Sequence, residues 1–198
     1  GNKLGARHTA SVGGLPHGLH AEPVLISQNS HQLSGWFIPG AANGGAVLLM
    51  HGVRSDRRSM LDRARFLHRH GYAVLMFAFQ AHGESGGESI TFGYLESQDA
   101  EAAFDYLRQR LPGARIGVVG VSLGGAAALL GDVARRADAL VLEAVYTTFD
   151  NAVSNRMDEW FGPVGRYASF MLTWQTLPRW GVQPSWLSPV ENIAHLNT

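Results

Sequence analysis

The clearest chemical signal in this sequence is a serine between glycines, in the segment Gly-Val-Ser-Leu-Gly at residues 120–124. An apolar run at residues 115–121 leads into it, and small residues of helical character follow at 123–135. A serine in such a strand-to-helix turn takes a strained backbone conformation that presents its hydroxyl above the sheet. The flanking glycines leave room where a Cβ would collide with the neighbouring strand and helix. Although the five-residue pattern alone occurs often by chance, its context predicts that Ser122 is a nucleophile.

A second signal is the pair His51-Gly52, which follows an apolar run at residues 46–50. Attack of a serine on an acyl carbonyl produces an oxyanion, which needs preorganised N–H donors. One donor comes from the residue after the nucleophile, Leu123, and the other from the loop after the His-Gly strand, which indicates Val53. The alternative interpretation is an ordinary turn glycine beside a surface histidine. The order of the two motifs along the chain favours an oxyanion hole.

A third segment, Phe-Ala-Phe-Gln-Ala-His-Gly-Glu-Ser-Gly-Gly at residues 77–87, is a strand that ends in a glycine-containing loop. Loops at the carboxyl edge of an open α/β sheet surround the ligand crevice. We interpret this loop mainly as structure, and its His82 as a structural hydrogen-bonding group rather than a residue that lines the site.

The elements around these motifs alternate between strands and helices. Continuous apolar runs, typical of strands buried on both faces of a parallel sheet, occur at residues 46–50, 72–79, 115–121 and 139–145. Helical patterns lie between them at residues 60–70, 96–111 and 123–135. Short runs at 24–27 and 33–38, with turn residues between them, predict an N-terminal hairpin. The alternation predicts an α/β fold with right-handed crossovers and a mostly parallel, doubly wound sheet.

The chain divides into an arm at residues 1–23 and one domain at residues 24–198. The arm is rich in glycine, histidine and small residues and predicts an extended or poorly ordered lead-in. Within the domain, residues 149–190 break the strand–helix rhythm and hold four of the five tryptophans, which predicts a helical cap insertion. Its aromatic side chains would either wall an apolar acyl pocket or form the core of the cap itself.

Composition excludes several classes of function. Lys plus Arg equals Asp plus Glu, 16 against 16, so there is no basic field to attract nucleic acid. Six arginines between residues 54 and 69 indicate a solvated helix face. The absence of cysteine removes thiol catalysis and thiolate metal sites. No run reaches the roughly 20 apolar residues of a membrane span, and the sequence leaves open whether the protein is cytoplasmic or held at a membrane by an upstream segment.

Taken together, the His-Gly strand end, FQAHGESGG, ITFGYLESQDAEAAFDYL and GVVGVSLGG resemble the α/β-hydrolase superfamily. The resemblance covers residues 22–198 and is closest to the serine hydrolase branch of Bem46-like and prolyl-oligopeptidase-like esterases and peptidases. It implies that Ser122 is the nucleophile, that the Val53 and Leu123 amides shape the oxyanion hole, and that residues 149–190 form a cap. One departure is Ala78, where many relatives carry an aspartate.

A serine needs a base to take its proton, and in this superfamily the chain order is Ser, then Asp or Glu, then His. The only histidine after Ser122 is His195, in a segment that in relatives is a helix leading to the next strand. We interpret His195 as a helix-surface residue, with Glu143 and Asp150 as reserve acids. We therefore expect the triad acid and histidine, and the last strands of the sheet, to lie beyond residue 198. The sheet edge exposed in their absence would be covered by that segment or by another chain.

The sequence thus predicts a serine hydrolase that cleaves carboxylic esters with an apolar, small-to-medium acyl group. It contains no zinc-peptidase, Walker or dinucleotide-binding motif, so no metal or organic cofactor is implied. Two alternatives stay open: a peptidase or acyltransferase with the same machinery, and a non-catalytic α/β-hydrolase fold used for binding.

Overall fold

The structure, a computed structural model, describes residues 5–29, 31–148, 151, 153–154 and 183–193. The strands are β1 His8–Thr9, β2 Glu22–Gln28, β3 His31–Ile38, β4 Ala46–Met50, β5 Ala73–Phe77, β6 His82–Gly83, β7 Ile116–Val121 and β8 Ala139–Glu143. The helices are α1 Leu61–Arg69, α2 Tyr94–Arg110, α3 Leu123–Leu130, α4 Val133–Arg136 and α5 Pro189–Ile193, with 3₁₀ turns at Arg57–Met60 and Pro184–Trp186. None of the described helices is long and apolar enough to span a membrane.

Six strands form one mixed sheet in the order β2-β3-β5-β4-β7-β8. The hairpin β2–β3 and the pair β3–β5 are antiparallel, while β5, β4, β7 and β8 run parallel. This arrangement confirms the predicted α/β fold with a mostly parallel sheet and an N-terminal hairpin.

Helices cover both faces of the centre of the sheet. All five residues of β4 and all five of β5 are buried, as their continuous apolar runs predict. On one face Leu48 and Leu75 join a core with Phe104 of α2 and Ala127 of α3. On the other face α1 and the turn before it pack Ala64 and Met60 against the sheet. The carboxyl ends of β4 and β7 therefore project from a rigid double-sided core.

Three predicted elements were too long. Strand β5 ends at Phe77, because the Phe79 N–H leaves the sheet and bonds the ring of His51. Strand β8 ends at Glu143, since Ala144 has a φ of 51°. The helix expected at residues 123–135 is broken after α3, where Gly131 takes an extended conformation before α4 begins.

The arm described over residues 5–21 is extended and attached to the domain. Its strand β1 pairs in parallel with β6, and Val12 is buried among residues of the α1 side. The first sheet strand begins at Glu22, two residues before the predicted run, because Glu22 and Pro23 already pair with β3.

At the other side of the molecule β8 has no further strand partner among the described residues. Val141 in this strand is 50% exposed and Phe66 of the nearby α1 is 54% exposed. A cavity of about 1460 Å³ lies at the opposite end of the sheet from Ser122 and includes both side chains in its lining. The predicted cap falls mostly outside the described part of the chain, as do Asp150 and His195.

Candidate active site

Ser122 occupies the turn between β7 and α3 and has a φ of 49° and a ψ of −108°. A positive φ is unfavourable for a residue with a Cβ, so it persists only where neighbours hold it. Here the Ser122 N–H donates to the Glu143 carbonyl at 2.8 Å, and the Ser122 carbonyl accepts from the Ala126 N–H at 3.0 Å. The strained residue is therefore bonded to the adjacent strand on one side and to its own helix on the other.

The glycines around the serine are required by close approach of backbones. A Cβ on Gly120 would lie 2.6 Å from backbone atoms of Gly125, and a Cβ on Gly124 would lie 2.5 Å from the carbonyl oxygen of Met50. These distances are well inside van der Waals contact. The end of β7 therefore fits against α3, and the turn fits against β4, only without these side chains, as the sequence pattern predicts.

The loop after β4 lies beside the serine. A Cβ built on Gly52 would be 3.6 Å from the Ser122 Cβ, so the ends of β4 and β7 meet at this point. Val53 is partly exposed and Leu123 is buried. Neither of their N–H groups has an acceptor among the described residues, and within that part of the chain the Ser122 hydroxyl also has no hydrogen-bond partner.

His51, at the end of β4, is fully buried and hydrogen-bonded at both ring nitrogens. Its Nδ1 donates to the Gly52 carbonyl at 2.7 Å and its Nε2 accepts the Phe79 N–H at 3.1 Å. Burial lowers the pKa of His51 to about 3, so the ring is neutral at pH 7. It is not the surface histidine of the alternative sequence interpretation.

His82 is also buried, and its ring centroid lies 5.1 Å from that of His51. Its Nδ1 donates to the Gln80 carbonyl at 2.8 Å, and its Nε2 accepts the Arg54 N–H at 3.1 Å. His82 is therefore a structural hydrogen-bonding group, as expected, but its partner is the loop that carries Val53. No sequence signal indicated this partner.

The Arg-rich segment is only partly a solvated face. Arg57 is buried, with its guanidinium 4.5 Å from the ring centroid of Trp36 and 2.6 Å from the Glu84 carboxylate. The prediction was wrong for this residue because the loop after β5 folds back over it. Arg57 thus ties that loop to the turn after β4.

Of the reserve acids, Glu143 lies at the end of β8, where Arg63 of α1 binds its carboxylate through two nitrogens. The hydrogen bond from Arg63 lowers the pKa of Glu143. The described histidines include none that contacts the Ser122 hydroxyl or the Glu143 carboxylate. Within the same residues, no group of three or more His, Asp or Glu side chains is placed to hold a metal ion.

A mixed, mostly parallel sheet with a strained serine at a strand-to-helix turn defines an α/β-hydrolase fold. Residues 41–189 match the family model described as serine aminopeptidase, S33 (Hydrolase_4), and the chain belongs to this family. The match and the structural neighbours below confirm the α/β-hydrolase assignment made from the sequence motifs.

Curated relatives are longer than this chain. An uncharacterized protein of Mycobacterium tuberculosis is 34% identical over 138 residues, which is 68% of this chain and 48% of the relative. The uncharacterized protein YqkD of Bacillus subtilis is 23% identical over 141 residues, covering 68% of this chain and 45% of its own length. The chain therefore spans about half the length of the curated relatives it matches.

Solved structures show the same fold. An esterase of Pyrococcus furiosus superposes with a TM-score of 0.69 and 26% identity, over 85% of this chain and 68% of the esterase. An α/β serine hydrolase without a lid, from Xanthomonas campestris, superposes with a TM-score of 0.56 and 19% identity, over 67% of this chain and 64% of that protein. The second likeness concerns the fold alone.

Proposed function

We propose that this chain carries the nucleophile and the oxyanion hole of a serine hydrolase that cleaves carboxylic esters. The observation that carries the proposal is the strained Ser122 beside the loop after β4, with a hydroxyl that no described residue binds. Membership in a hydrolase family and the likeness to the Pyrococcus esterase support the same chemistry.

In the proposed reaction the Ser122 oxygen bonds to the acyl carbon, and its proton passes to a base. The carbonyl oxygen becomes an oxyanion that accepts hydrogen bonds from the Val53 and Leu123 N–H groups. The intermediate collapses with loss of the alcohol, which takes the proton, and leaves an acyl-serine. Water then attacks the acyl-serine by the same route and releases the acid.

The base is proposed to come from outside the described residues. His51 is a poor base, because its Nε2 is already hydrogen-bonded and burial lowers its pKa to about 3. His82 uses both ring nitrogens on backbone groups. Glu143 is bound to Arg63 rather than to a histidine. We propose that the acid that orients the base, and the cover of the β8 edge, likewise come from outside the described residues or from another chain.

The leaving group distinguishes the esterase from its alternatives. A peptidase would use the same nucleophile and amides on an amino-terminal peptide bond, and the family description supports testing this activity. A panel of p-nitrophenyl acyl esters and amino-acid p-nitroanilides separates the two. We expect turnover of esters with small-to-medium apolar acyl groups.

The test of the nucleophile is covalent labelling with a fluorophosphonate. We expect the full-length protein, with its base present, to be labelled, and S122A to lose both labelling and ester hydrolysis. The matched control is S97A, since among the described residues the Ser97 hydroxyl bonds only the carbonyl of Tyr94 in its own helix. Labelling that survives in S122A would refute the proposal, and a protein that binds acyl esters without turnover would favour the binding module.

A further inference from the structure

The turn that follows β4 contains a residue in an unusual backbone conformation. Arg54, one residue after Val53, has a φ of 55°, in the left-handed region that residues with a Cβ rarely occupy. Its backbone N–H donates a 3.1 Å hydrogen bond to Nε2 of His82. The conformation of this turn therefore depends on an acceptor that is 28 residues away in sequence.

The ring of His82 is fixed on its other side. Its Nδ1 lies 2.8 Å from the Gln80 carbonyl oxygen, and since a carbonyl only accepts, Nδ1 carries the proton. Nε2 is then an unprotonated acceptor for the Arg54 amide. The His82 ring is fully buried, and the backbone of His82 pairs with His8 of strand β1. The acceptor is thus preorganised before any substrate arrives.

We propose that His82 is a positioning residue for the oxyanion hole: its Nε2 fixes the Arg54 amide and thereby aims the preceding Val53 N–H at the space above Ser122. This inference rests on the proposed function, because the Val53 amide has a task only where an oxyanion forms. Both ring hydrogen bonds of His82 go to backbone atoms, so it acts through the loop and not on the reacting atoms.

The same arrangement makes the loop sensitive to acid. A second proton on the ring would place an N–H on Nε2, opposite the Arg54 N–H, and the hydrogen bond would be lost. The titratable groups that face the ring are His8 on β1, His51 after β4 and Asp56 before the 3₁₀ turn. Burial lowers the pKa of His82, and the charge of His8 lowers it further. The hydrogen bond to the Gln80 carbonyl and the charge of Asp56 raise this pKa, but the net shift is downward. The acceptor is therefore present at pH 7 and is lost only in acid.

Two substitutions separate the two nitrogens of the ring. In H82Q the amide oxygen reaches the place of Nε2 and can accept from Arg54, while in H82N the shorter amide replaces only Nδ1. We expect H82N to lower kcat on p-nitrophenyl butyrate about 100-fold, the size of effect seen when an oxyanion donor is lost. KM should change less than about threefold, since the donor acts mainly in the transition state. The kcat of H82Q should be at least about tenfold higher than the kcat of H82N.

The outcomes distinguish the inference from the proposed function. Full-length wild-type protein without ester turnover or fluorophosphonate labelling would refute the proposed function itself. With an active wild type, three results would overturn the role of His82. These are an H82N variant that keeps its kcat, an equal loss of kcat in H82N and H82Q, and a rise in KM alone. Should H82N unfold, ¹⁵N NMR of the wild type decides, because the inference requires an unprotonated Nε2 on His82 at pH 7 and a protonated Nε2 overturns it.

Discussion

At the scale of single residues, the position of Ser122 depends on backbone atoms of its neighbours. The Ser122 N–H is held by the carbonyl of Glu143, and the turn packs against Met50 through Gly124. The sequence shows directly where side chains are absent, because glycines stand two residues before and two residues after Ser122. Their spacing therefore predicts the strand-to-helix turn. The backbone hydrogen bonds on both sides of Ser122 hold it in this conformation.

We expect G124A to lower the free energy of unfolding by about 2–3 kcal/mol, as overpacking does in a tight site. The new Cβ would lie 2.5 Å from the Met50 carbonyl oxygen, so the turn would have to move away from β4. Urea unfolding measures the change. The control is G14A, since a Cβ on Gly14 meets nothing within 4 Å. Equal stability of the two variants would show that the turn is not tightly packed.

Other features of the site could not be predicted from residue spacing. The bond from Arg54 to His82 and the bond from Phe79 to His51 each join residues 28 positions apart. A histidine in a loop gives no indication of which backbone amide it will accept from, since that depends on how the strands are ordered in the sheet. For the same reason the burial of Arg57 was missed.

At the scale of elements, the central strands were predicted closely and their ends less well. The bounds of β4 agree with its apolar run, because a strand buried on both faces needs an apolar residue at every position. Helix α2 begins at Tyr94, two residues before the predicted start at residue 96. The Glu96 side chain accepts the Gly93 N–H and so caps the first turn of the helix. Such ends are decided by side-chain hydrogen bonds rather than by hydrophobic pattern.

Helix α2 also carries a buried carboxyl that makes stability depend on pH. Asp99 accepts the Gln80 N–H at 2.8 Å and faces the His31 ring at 3.3 Å. Burial raises the pKa of Asp99 to about 8, above the value near 3.9 expected in the unfolded chain. The stability that this group contributes is therefore present at low pH and is lost as pH rises toward 8.

We expect the free energy of unfolding of the wild type to fall between pH 6.5 and 8 by up to about 1.4 kcal/mol per pH unit. D99N should show a smaller fall, because an amide does not titrate and its oxygen can still accept the Gln80 N–H. Urea unfolding across this range measures both slopes. The control is D105N, a half-exposed carboxylate on the same helix. Parallel slopes for wild type and D99N would contradict the assignment.

At the scale of the whole molecule, the N-terminal arm joins parts of the fold that are far apart in sequence. The His8 N–H donates to the Ala81 carbonyl, and the Val12 N–H to the Glu84 carboxylate. Val12 is 5% exposed. The arm therefore stabilises the loop after β5, which in turn contacts the turn after β4.

The arm offers a matched pair of substitutions. We expect V12A to lower the free energy of unfolding by about 1–3 kcal/mol, because it removes apolar surface buried against the α1 side of the sheet. L15A should change it by less than about 0.5 kcal/mol, since Leu15 is 45% exposed in the same arm. Thermal or urea unfolding compares the two. Equal effects would indicate that the arm does not pack against the domain.

The order of strands in the sheet also decides how the protein is completed during synthesis. Strand β4 pairs with β5 on one side and with β7 on the other, and β7 is made only after the whole of α2. A nascent chain therefore passes through a stage in which an entirely apolar strand has one open edge, a state that invites capture by chaperones or by other chains. Pairing with β7 closes that edge of β4, and the same step brings the serine turn beside the loop after β4.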